Sequence, residues 1–177
     1  NLMGDMVCRE GIRNAAAALP TCVTDGSGID ARTKLAFATT LGGYAMVCSG
    51  CCGCHGTEHA MSAHHHDLPH GAGLIMIARS YHQHMIDAHA CDDRYVEMAR
   101  LMGDEDATEP GDFIAALERL MAACGVDGLK MSDWGIGEAE LDAIAANGLA
   151  TTGALYAHDP APLSHDDVLA ILRKSYR

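Results

Sequence analysis

Asp30-Ala31-Arg32-Thr33-Lys34-Leu35-Ala36-Phe37-Ala38-Thr39-Thr40-Leu41-Gly42-Gly43-Tyr44-Ala45-Met46-Val47-Cys48 sets the pattern for the rest of the chain. Phe37, Leu41, Tyr44, Ala45 and Cys48 recur at steps of three and four, the spacing that stacks side chains on one face of an α-helix. Asp30 stands where an N-cap would. The stretch therefore predicts an amphipathic helix with one buried stripe. Carried past Cys48 through Cys52, the stripe reaches His55 and His59, so a single long helix ending among histidines is expected.

Working outward, the same period runs through Leu74, Ile77, Ala78, Tyr81 and Met85, through Tyr95, Met98, Ala99 and Met102, and through Phe113, Leu117, Leu120, Met121 and Cys124. Gly103 and Gly125 follow two of these stripes as helix breakers. Ser164 with Asp167 three residues on predicts a capping box opening a last helix that carries Val168, Ile171 and Leu172. Met3, Met6 and Val7 predict an opening helix before a turn region from Pro20 to Gly28. Residues 104–111 and 151–162 read as irregular connections. No alternating strand pattern and no internal repeat occurs. The expectation is an all-α helical bundle of about six or seven helices, forming one domain over residues 1–177.

Composition agrees with helix. Aromatic residues are 5% of the 177, Ala, Leu and Met are plentiful, and β-branched runs are missing. The formal charge is −12, from 12 Lys and Arg against 24 Asp and Glu. That sign disfavours nucleic acid and anionic membrane as partners, because both call for a basic surface. No stretch reaches the run of about 20 apolar residues that spans a bilayer, and Asn1-Leu2-Met3-Gly4-Asp5 lacks the pattern of a secretory signal. Small molecules or other protein chains are the expected partners, with a homo-oligomer among the options.

Eight cysteines and eleven histidines are the unusual feature. Four of the cysteines lie between Cys48 and Cys54, too close together to build a long-loop disulfide framework, so a reducing, cytoplasmic compartment is expected. His55 and His59 are one helical turn apart and would point the same way. His70 follows the loop His64-His65-His66-Asp67-Leu68-Pro69 and stands where the next helix begins. Neutral imidazoles converging from two helices suit a divalent transition metal; partly exposed histidines with ordinary core hydrogen bonds are the plainer reading, and spacing alone leaves both open. Cys51-Cys52-Gly53-Cys54-His55 is also formally Cys-x-x-Cys-His, the attachment sequence of c-type haem. The cysteines could instead bind zinc or an iron–sulfur cluster, but on one helix they point in several directions, so packing between helices is their expected role. His82, His84 and His89 read as an exposed face beside Asp87. Trp134 reads as a core cover.

The segment His55-Gly56-Thr57-Glu58-His59-Ala60-Met61-Ser62-Ala63-His64-His65-His66-Asp67-Leu68-Pro69-His70-Gly71-Ala72-Gly73-Leu74 resembles the metal-site segment of the iron-containing alcohol dehydrogenases. Ile29-Asp30-Ala31-Arg32 resembles the start of the family's preceding helix, Arg94-Tyr95-Val96-Glu97-Met98-Ala99 its following one, and the stretch from Pro162 to Tyr176 its closing helix, so the resemblance runs the length of the chain. It implies the family's C-terminal helical domain, which has the dehydroquinate synthase-like α fold. It further implies that His55 and His70 match two metal ligands, that His59 matches a histidine near the nicotinamide which helps relay the proton, and that the metal is Fe2+ or Zn2+. The activity implied is hydride transfer between a small alcohol or aldehyde and NAD or NADP.

The family completes its metal site with an aspartate and a histidine one turn apart upstream, and no Asp-x-x-x-His occurs here. Nor is there a glycine-rich phosphate loop following a strand; Gly71 and Gly73 are expected instead to permit a close approach near the metal loop or a cofactor phosphate. The expectation is a domain whose N-terminal α/β nucleotide-binding partner lies elsewhere. A non-enzymatic metal- or haem-binding helical module is the alternative, and an oligomerisation domain with incidental histidines a third reading.

Overall fold

Asn1 opens the first helix by accepting the backbone N–H of Gly4 on Oδ1 at 2.8 Å. The computed structural model describes residues 1–177 as eight α-helices and no strand. These are α1 (Leu2–Thr24), α2 (Ile29–Ser49), α3 (Gly53–His64), α4 (His70–Asp87), α5 (Asp92–Leu101), α6 (Asp112–Ala123), α7 (Leu141–Tyr156) and α8 (His165–Ser175), with short 3-10 turns at Met131–Trp134 and Glu138–Glu140. The all-α expectation holds, with slightly more helices than the apolar stripes predict. The chain divides into two compact units, residues 1–50 with 91–127 and residues 51–90 with 128–177.

In the first unit α1 and α2 form an antiparallel hairpin. The Asn1 side chain donates to the Cys48 carbonyl at 2.9 Å, and a Cβ on Gly4 would collide with Ser49 Oγ, so the two ends touch. α1 does not stop at Pro20 as the turn chemistry predicts. It continues one turn to Thr24, because a proline near the end of a helix removes a single bond that the following residues can do without. Across to α5, Arg9 Nε meets Glu97 at 2.6 Å and Arg94 meets Asp5 at 2.8 Å. Tyr95 on α5 packs on Phe113 of α6 with ring centroids 5.3 Å apart. Gly103 and Gly125, both at positive φ, follow the ends of α5 and α6 as expected.

α2 departs from its predicted stripe. Its covered face is Ala31, Leu35, Ala38, Leu41, Ala45 and Cys48, while Phe37 is 50% and Tyr44 59% exposed. So many of its residues are apolar that their spacing does not single out one face, and the covered side mixes two leucines with alanines and a cysteine while the two aromatic rings stay out. Gly28 rather than Asp30 precedes the helix, and Asp30 lies in its first turn.

The second unit holds the best-buried core. Met61, Ile77, Met85, Leu141, Ile144 and Leu172 are all inaccessible to solvent. α3 and α7 approach through glycines: a Cβ on Gly56 would lie 2.6 Å from the Tyr156 ring, and one on Gly148 would lie 2.6 Å from its hydroxyl. Thr57 Oγ1 and Tyr156 Oη share a hydrogen bond of 3.0 Å. The expected irregular stretch 151–162 is helical as far as Tyr156, with one kink at Thr152 (φ −123°, ψ 25°); the Thr152 hydroxyl also bonds the Gly148 carbonyl at 2.7 Å, a local bond that bends helices. Ser164 and Asp167 make the predicted capping box at the start of α8.

Candidate metal centre

The predicted single helix from Asp30 to His59 is broken. α2 ends at Gly50 with φ 78° and ψ −173°, a conformation only glycine adopts at little cost. Cys52 is then extended, and α3 begins at Gly53. Asp159 holds that new N-terminus: its Oδ1 accepts the Gly53 N–H at 2.8 Å and the Tyr81 hydroxyl at 2.5 Å. A carboxylate at a helix N-terminus meets unpaired N–H groups and the positive end of the helix dipole. Burial nevertheless pushes the Asp159 carboxyl above its ordinary range. The consequence for the site is that α3 starts from a fixed point, which sets where His55 and His59 emerge.

His55 and His59 lie on one side of α3, and His70 opens α4 directly after Pro69. The ring centroids are 6.3 Å apart for His55 and His59, 5.2 Å for His55 and His70, and 5.5 Å for His59 and His70. One nitrogen from each ring can be chosen so that all three lie within 4.8 Å of one another. A metal bound tetrahedrally at about 2.1 Å holds its nitrogens about 3.4 Å apart, so modest side-chain rotation closes the triangle. His55 is half-buried; His59 and His70 are exposed. Desolvation, with the neighbouring His70 and His59 adding to it, pushes His55 below the ordinary histidine range, which keeps it in the neutral form a metal requires. The structure thus brings together all three histidines singled out from the sequence, His59 included.

Glu58 is the residue that sequence reading passed over. It is buried to 0% exposure, and its carboxylate bonds the Ser62 hydroxyl and His70 Nδ1. A Cβ on Gly73 would lie 2.7 Å from Glu58 Cγ, so the glycine of α4 makes room for the carboxylate, while Gly71 faces open space. A signal existed: Glu58 falls between Cys54 and Met61 on the inward stripe of α3, where an ionisable group needs a partner.

The other histidines separate from the cluster. His65 Nε2 pairs with Glu140 at 3.1 Å, while His64 and His66 are exposed. The exposed-face reading of His82 and His84 is corrected. Both are half-buried on α4, His84 lies 3.8 Å from Asp167, and desolvation lowers the His82 pKa to about 4. The covering residues come from elements distant in sequence, so local spacing did not reveal them. Cys54 is buried with its thiol pushed upward by desolvation, and it packs inside α3 as a small apolar side chain does.

The family model described as Fe-containing alcohol dehydrogenase family, C-terminal, matches residues 1–176. The 1,3-propanediol dehydrogenase of Klebsiella pneumoniae is 27% identical over 99% of this chain and 45% of its own length. The probable NADH-dependent butanol dehydrogenase 2 of Bacillus subtilis (strain 168) is 27% identical over 97% of this chain and 45% of its own length. Among solved structures, an archaeal halo-thermophilic alcohol dehydrogenase from a Red Sea brine pool superposes with a TM-score of 0.88 at 26% identity, over 97% of this chain and 44% of that one. The chain therefore spans less than half the length of these relatives.

Proposed function

Because the chain belongs to the Fe-containing alcohol dehydrogenase family, through that family's C-terminal region, we propose that residues 1–177 are the metal-binding helical domain of an NAD(P)-dependent alcohol dehydrogenase. Its nucleotide-binding domain is a separate α/β unit, and its substrate is a small alcohol or aldehyde. The observation that carries this reading is the convergence of His55, His59 and His70 from two helices within 4.8 Å.

The donor set fits Fe2+ or Zn2+, since borderline cations accept imidazole. His55 and His70 are the ligands. When bound, such a metal polarises the substrate oxygen as a Lewis acid, and the nicotinamide supplies or accepts the hydride. The chain's own residues hold and orient. His55, half-buried at the first turn of α3, is neutral without help from the metal. His70 offers Nε2, because Nδ1 is engaged by Glu58. His59 is exposed beside both, and a neutral imidazole there accepts the proton released when the alcohol is oxidised and passes it to solvent, returning it for the reverse reaction.

The test is metal analysis and alcohol oxidation with the full-length enzyme. One tightly held divalent metal per chain and NAD(P)-dependent oxidation abolished by chelation are expected. Undiminished oxidation by metal-stripped enzyme would defeat the reading.

A further inference from the structure

Glu58 is the only acidic or basic side chain among the fully buried residues. A carboxylate there costs several kcal/mol to desolvate unless its oxygens are matched. Both are used: Oε1 accepts from Ser62 on the next turn of α3, and Oε2 bonds His70 Nδ1 on α4. Gly73 leaves the space this needs, since a Cβ there would come within 2.8 Å of Oε1. The carboxylate thus lies behind one member of the histidine triangle, and it is part of α3, the helix that carries the other two.

We propose that Glu58 is a positioning residue for the metal centre. By accepting the Nδ1 proton it fixes His70 in the tautomer whose Nε2 lone pair is free, and it aims that nitrogen at the space between His55 and His59. A carboxylate behind an imidazole also makes the imidazole a stronger donor. The inference rests on the metal-centre reading above and adds a residue outside the ligand set. It also gives Gly73 a role: a larger residue on α4 would drive Glu58 away from His70.

Two measurements on the chain test it. The first needs no metal: 15N NMR of histidine-labelled protein is expected to show the neutral His70 ring protonated on Nδ1, and Glu58→Ala is expected to move it toward the Nε2-protonated form that free imidazole side chains favour. The second is Co2+ titration followed by visible absorption. Glu58→Ala is expected to weaken binding by about 10- to 100-fold, the usual cost of losing a ligand's hydrogen-bond partner. Glu58→Gln, whose amide oxygen still accepts from Nδ1, is expected to recover part of that loss. A His70 ring protonated on Nε2 in the unsubstituted chain would overturn the proposal, even if every Glu58 variant failed to fold. So would unchanged Co2+ affinity in folded Glu58→Ala, or a Glu58→Gln chain no better than Glu58→Ala. His55→Ala separates the two claims: it should lose Co2+ whether or not Glu58 matters. If the unsubstituted chain took up no Co2+ the metal-centre reading would fall, while the His70 tautomer would still decide for or against Glu58.

Discussion

The proposed function gives the three histidines of one triangle different tasks, and substitution should separate them. In the full-length enzyme His55→Ala or His70→Ala removes a ligand, so bound metal and activity should fall together, with little rescue by added metal. His59→Ala should leave metal content near normal and lower turnover, by about 10²-fold or more if it is the general base. Metal analysis beside steady-state kinetics reads the contrast; loss of metal in His59→Ala equal to that in His55→Ala would make His59 a ligand as well. His55 and His59 were legible in the sequence because a helix repeats every 3.6 residues, and His70 because it follows Pro69 at the start of the next helix. The inward place of Glu58 was legible too, but its partners were not, because they are Gly73 and His70, which lie 15 and 12 residues further along the chain. Periodicity within one helix says nothing of what the facing helix offers.

Helices α3 and α4 carry the site and α7 packs against α3, and that packing is open to test. Gly56→Ala puts a methyl 2.6 Å from the Tyr156 ring and 2.8 Å from Thr152 Oγ1. The expected cost is about 1–3 kcal/mol from overpacking, read by urea denaturation, and Co2+ affinity should fall as well because α3 carries His55. His82 on α4 makes a pH prediction. Its folded pKa lies at about 4, against 6.5 for an unperturbed histidine, so between those values the unfolded chain binds the extra proton and stability falls as the pH falls. Below about pH 4 this group adds no further loss. Partial exposure of His82 limits the effect to on the order of 2 kcal/mol. The difference in unfolding free energy between pH 7 and pH 4.5 should shrink in His82→Asn; an equal difference in both proteins would show that His82 is well solvated. At this scale the sequence read well where capping is local, as at Ser164 and Asp167, and where Gly103 and Gly125 stop their helices. It misread the junction of α2 and α3, since an apolar stripe can run through Gly50 on paper while the backbone there takes φ 78°.

For the whole molecule, the proposed division of labour gives this all-helical chain two metal ligands, His55 and His70, and leaves the nucleotide to a separate α/β unit. The chain contains no strand, hence no strand-to-helix phosphate loop of the kind that holds a dinucleotide. It contains no Asp-x-x-x-His, the second pair of ligands that the family pattern implies, and these 177 residues cover 45% of the propanediol and butanol dehydrogenases they resemble. On the proposed reading the chain by itself is expected to bind Co2+ or Zn2+ weakly, through the imidazoles of His55 and His70, and to show neither measurable NAD(P) affinity nor alcohol oxidation. Calorimetric titration with NADH and NADPH, beside an alcohol-oxidation assay at saturating metal, checks both halves. Adding the family's nucleotide-binding domain as a separate polypeptide should tighten metal binding before it restores any turnover, because ligand completion precedes chemistry and each added ligand lowers metal dissociation. Turnover by the 177 residues alone would place the nucleotide site within this helical domain and refute the division of labour; restored turnover without tighter metal binding would mean that the added domain brings the cofactor but no ligand.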